Sequence, residues 1–181
     1  MLAALALALS LSAQPAASPD AATAAPEVRQ RVKALLGAID RPIPPEAWRA
    51  LGPGAEGALA EVAASDDFPS RRALALEGVA AFGGARAEAL HRRLASDTST
   101  PAPVRRAAIR GLAILLPPSG AAEALRPLLS GDRDPSVRRA AAEALSEAAP
   151  ASSCADIRAQ ARREGARGDA MFRRALAACA R

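Results

Sequence analysis

Aromatic side chains are nearly missing from this 181-residue chain: one tryptophan, three phenylalanines and no tyrosine, 2% in all. That scarcity excludes a core built around large rings, and it removes much of the aromatic and β-branched material from which extended sheets are made. The core must come from Ala, Leu and Val on helices that approach closely. Lysine is scarcer still. Lys33 is the single one, so almost all positive charge is arginine, and the richness in alanine and arginine is attributed to a GC-rich genome rather than to a function. One histidine and two cysteines leave little for metal or nucleophile chemistry. His91 stands beside Arg92 and Arg93 with no candidate ligand nearby, so it is expected at the surface, and neither a metal site nor a nucleophile–base pair can be assembled. No glycine-rich phosphate loop follows a strand; Gly83-Gly84 follows a helical stretch, where glycines cap. The chain is expected to carry no cofactor and no catalytic residues.

Long apolar runs are equally few. Met1 to Ser12 is one, too short to span a bilayer, and Ala13-Gln14-Pro15 follows it. The pair reads as the apolar region and small-residue cleavage site of a secretory signal peptide that lacks a basic start. Residues 1–13 are assigned to that signal, 14–25 to an Ala/Pro/Ser/Thr linker, and 26–181 to the folded domain. A periplasmic or secreted location is expected, with a cytoplasmic one as the alternative. Charge is uneven as well: residues 1–100 hold 10 basic and 11 acidic side chains (net −1), residues 101–181 hold 14 and 8 (net +6). Any attraction to an acidic partner belongs to the second half.

What the chain does have is helical periodicity. Asp134 is placed as an N-cap with Pro135 at the first helical position. Val137, Ala141, Ala144, Leu145 and Ala148 then share one narrow face, and Pro150 marks the end. Shifting back 33 residues from Ala144-Leu145 gives Gly111-Leu112, and another 33 gives Gly78-Val79. A repeat of this length is a helical hairpin whose apolar face is buried by stacking on its neighbours. A first helix from Pro26 carries Val28, Val32, Leu35, Leu36 and Ile39. A short helix over Glu46–Leu51 holds Trp48, expected to be a buried end-cap residue rather than a ligand-stacking one. Regular hairpins follow, with a final pair near Ser152–Arg163 and Asp169–Ala180.

The stretch Asp134-Pro135-Ser136-Val137-Arg138-Arg139-Ala140-Ala141-Ala142-Glu143-Ala144-Leu145 resembles the second helix of HEAT repeats, in particular the short type first associated with phycobilisome lyases. Pro103-Val104-Arg105-Arg106-Ala107-Ala108 repeats it, Pro69-Ser70-Arg71-Arg72-Ala73-Leu74 does so with Arg71 in place of Val, and Phe172-Arg173-Arg174-Ala175-Leu176 is a weaker copy. The resemblance implies an all-α, right-handed α-solenoid of about four to five helical hairpins, used for binding or scaffolding. The leading functional expectation is an exported, non-catalytic module that docks a protein or peptide on its concave face. The alternatives are a cytosolic nucleic-acid binder, disfavoured for lack of aromatic residues, and a lyase or lyase chaperone by family analogy alone.

The paired arginines carry the candidate sites. Arg105 and Arg138 border the apolar face and are expected to form a structural ladder with Asp97, Asp132 and Asp134. Arg72, Arg106, Arg139 and Arg174 form the candidate partner-binding strip, with Arg139 facing Glu143 one turn on. Cys154 starts the last first helix and Cys179 ends the last second helix. About 11 residues run up to the turn and about 11 back, so at about 1.5 Å per residue the two return to one level and can form a disulfide. The other reading leaves Cys179 as a small buried residue and Cys154 as a free thiol.

Overall fold

The protein is described by a computed structural model over residues 25–37, 42–165 and 169–180. The signal-peptide assignment and most of the linker, like Ile39 and the turn around Gly168, lie outside the described residues. Those residues form ten helices and no strand: α1 (Pro26–Leu36), α2 (Pro45–Arg49), α3 (Ala55–Ala64), α4 (Pro69–Phe82), α5 (Gly84–Ser96), α6 (Ala102–Leu115), α7 (Pro118–Gly131), α8 (Pro135–Ala148), α9 (Pro150–Arg163) and α10 (Ala170–Ala178). Proline opens six of them, where its missing N–H costs nothing and its fixed φ is already helical. Pro150 therefore does more than stop α8. It is the first residue of α9, and Ala149 closes one helix and opens the next.

Four hairpins, α3–α4, α5–α6, α7–α8 and α9–α10, stack in chain order, with α1 and α2 covering the first. The second helices pack on one another in an unbroken row, α4 on α6, α6 on α8 and α8 on α10, whereas the first helices touch their counterparts far less. The tighter row is the inner side of a curved array. Its packing rests on small residues: Ala75, Gly78, Ala107, Ala108, Gly111, Ala140, Ala141 and Ala144 are all buried, and small residues let helix backbones approach. Larger side chains from the first helices fill the space between layers, with Leu59, Leu94, Leu125, Leu129 and Ile157 at 2% exposure or less.

The covering elements are irregular. The chain enters α3 through Gly52-Pro53-Gly54, where both glycines take positive φ (86° and 82°) that a side chain would oppose. Trp48 is buried and lies against Gly78: a Cβ on that glycine would come within 2.9 Å of the indole. Trp48 is thus packing material for the end of the array.

Candidate functional site

The second-helix layer is where repeated polar residues emerge, and two rows of arginine separate on it. The inner row is Arg72, Arg105 and Arg138, each one position after Arg71, Val104 and Val137. Arg72 Nε donates to the Ala63 carbonyl (3.0 Å) and Arg105 Nε to the Ala95 carbonyl (3.1 Å). Arg138 donates to the carbonyls of Asp132 (2.8 Å) and Arg133 (3.1 Å). These are carbonyls at or just past the last turn of the preceding first helix, groups that lack an intrahelical partner and sit at the negative end of the helix dipole. Each inner arginine therefore ties together the two helices of its own hairpin.

Two of them also reach the next hairpin. Arg105 makes a bidentate pair with Asp132, both side chains about 5% exposed or less. Arg138 Nε donates to Glu164 at 2.6 Å, and Gln160 donates to the same carboxylate. Asp132 and Glu164 occupy the same place, the residue that closes α7 and α9. Burial disfavours ionised Glu164, but the hydrogen bonds from Arg138 and Gln160 outweigh it and hold its pKa low; the same contact raises that of Arg138.

Several sequence expectations need correcting. Arg72 belongs to this inner row and not to the outward strip, because its guanidinium is engaged with Ala63. Asp97 is not Arg105's partner; it accepts from the Ser99 hydroxyl (2.6 Å), the Ser99 amide (2.9 Å) and Thr100 (2.9 Å), which bring its pKa down to about 2. Asp134 caps α8 by accepting from the Ser136 amide at 2.7 Å. Glu164 was not anticipated, although it lies 26 residues after Arg138, close to the 27 that separate Arg105 from Asp132.

The outer row is Arg106, Arg139 and Arg174. Arg139 does not pair with Glu143. Its Nε lies 2.8 Å from Asp169 in an ion contact without hydrogen-bond geometry, and Glu143 takes Arg174 from the next hairpin at 3.1 Å. Arg110 on α6 likewise reaches back to Glu77 on α4 at 3.3 Å. Helical neighbours lost to residues of the adjoining hairpin because stacking brings those within reach first. The strip is consequently not a bare basic surface. Among the described second-helix residues, Arg106 alone of the arginines has no hydrogen-bond or ion-pair partner. Two turns further along α6, Ile114 is 75% exposed, one of two large apolar side chains so placed among the described residues; the other is Phe68 at 70%.

His91 overturns its expectation most clearly. It is fully buried, with Nδ1 2.7 Å from the Ala87 carbonyl and Nε2 3.2 Å from the Leu76 carbonyl. Burial lowers its pKa, against the raising effect of the two carbonyls. Gly111 makes the room. A Cβ there would lie 2.1 Å from the ring.

Cys154 and Cys179 are joined as a disulfide, Cα to Cα 5.6 Å. Among the described residues no cluster of His, Cys, Asp and Glu could hold a metal, and no helix is long and apolar enough to cross a membrane.

The family model for HEAT repeats matches residues 55–146 and again residues 98–177. The chain is a HEAT-repeat protein. The two matches overlap on α6 to α8, the hairpins in which the inner arginines make their bridges, and together they span all four hairpins. No curated protein and no solved structure matches the chain. HEAT repeats commonly mediate protein interactions.

Proposed function

We propose that this HEAT-repeat protein is an exported, non-catalytic docking module that takes an acidic protein or peptide on its second-helix layer. The observation that carries the reading is on α6. Arg106 keeps a guanidinium free while every comparable arginine is committed to the array, and Ile114 stands exposed about 12 Å further along the same helix at about 1.5 Å per residue. A desolvated charge contact beside an apolar anchor is the kind of pair from which a few residues supply most of the affinity. The net positive second half would speed encounter with an acidic partner. Export is supported by the apolar run before Ala13-Gln14-Pro15 and by a disulfide that an oxidising compartment would preserve.

The test compares the wild type with Arg106→Glu/Ile114→Asp and with a first-helix control, Arg93→Glu, as immobilised baits for extracytoplasmic proteins. A specific interactor retained by the wild type and the control but lost tenfold or more by the double variant supports the reading. Equal retention by all three contradicts it. Sequencing the mature amino terminus tests export separately, with a start near Gln14 expected.

A further inference from the structure

The last hairpin is held differently from the others. At the position seven residues after Val104 and Val137, α6 and α8 carry Gly111 and Ala144, which pack by contact; seven after Phe172 stands Cys179, the residue that closes α10, bonded to Cys154 on α9. The bond stands where packing is thin. Helix α10 buries only Phe172 and Ala175, against seven residues in each of α6 and α8. Its ties to α8, Arg174 with Glu143 and Asp169 with Arg139, join partly exposed side chains, and such pairs contribute little.

The bridge is also reachable. Both cysteines are only partly buried, and they line an open cleft of about 730 Å³ together with Ser146, Glu147, Pro150, Ala151 and Ala178. We propose that Cys154–Cys179 is a thiol-exchange site at which a dithiol reductant releases α10 from an array that otherwise stays folded. One thiolate of the reductant attacks a sulfur from the cleft. The S–S bond breaks, its electron pair leaves on the other cysteine, and that thiolate takes a proton. The reductant's second thiol then displaces the mixed disulfide, so that the reductant ends as a disulfide and both cysteines as thiols. Release of α10 withdraws Arg174 from Glu143 and Asp169 from Arg139, changing the charge of the inner layer beside Arg106. That last consequence rests on the docking role proposed above; the release itself does not.

The experiment is hydrogen exchange on the full oxidised chain, on the chain treated with dithiothreitol in native buffer, and on Cys154→Ser/Cys179→Ser. Closing a loop of 25 residues makes opening rarer by on the order of a hundredfold. Reduction under native conditions, with exchange over residues 170–178 accelerated by about that factor and exchange over 102–148 unchanged, is the expected result, and the double variant should match it. A bridge reduced only after denaturation, an α10 still protected once reduced, or a loss of protection throughout the chain would each overturn the proposal.

Discussion

At the scale of single residues, the array depends on two polar groups buried with defined partners. His91 fits because Gly111 faces it, so Gly111→Ala forces the ring out of place and is expected to cost about 1–3 kcal/mol by overpacking. The cost should shrink in a His91→Ala background, giving a coupling of about 1 kcal/mol or more in a double-mutant cycle of urea unfolding. Additive losses would mean that the two do not share that space. Asp132→Ala should cost about 3–5 kcal/mol because it strands a buried guanidinium, whereas Arg105→Met with Asp132→Leu should be close to neutral. The Arg105–Asp132 pair was legible in the sequence, but the burial of His91 was not. A lone histidine between arginines looks like a surface residue, and the signal that it is not lies 20 residues later, in a glycine where the next repeat has Ala144. Arg72 was misplaced for a similar reason. As the second of two arginines it matches Arg106 and Arg139; with Arg71 in the place of Val104 and Val137, and counted back from Gly78, it falls on the inner row.

At the scale of elements, the starts of helices were the clearest part of the sequence. Asp134-Pro135 announces α8, and Asp169 caps α10 by accepting from Met171 and Phe172. Helix α4, like most of the described helices, lacks a side-chain cap: Phe68 stands at its cap position and supplies no acceptor. Phe68→Ser should therefore stabilise the protein by about 0.5–1 kcal/mol, and Asp134→Ala should destabilise it by about 1 kcal/mol, both read as shifts in the urea midpoint. The turns between helices also set the pH response. Asp97, Asp134 and Glu164 all ionise more readily folded than unfolded. Their contribution is complete above the ordinary carboxylate values of 3.8 to 4.5 and fades as pH falls through the folded values, about 2 for Asp97. Buried neutral His91, also lowered, adds an earlier decline beginning below its ordinary 6.5. The urea midpoint should fall in two stages on acidification, with His91→Gln abolishing the first. A single stage in the parent protein would contradict the assignment.

At the scale of the molecule, the period of 33 residues and its small-residue pairs were enough to read an α-solenoid, because stacked hairpins repeat their packing requirement each time. The charge surface was not readable in the same way. Helical angles say which side of its own helix Arg139 occupies, but Asp169 and Glu143 compete for it across a gap that depends on how hairpins stack. This stacking commits the inner arginines to holding the array and leaves Arg106 out of it. Equilibrium urea unfolding of Arg106→Glu beside Arg138→Glu tests it most directly. Arg106→Glu should stay within about 0.5 kcal/mol of the parent, as surface changes do. Arg138→Glu, which sets a second acid against Glu164 and abandons two helix-end carbonyls, should lose about 3 kcal/mol or more. Equal losses in the two variants would contradict the division between the rows.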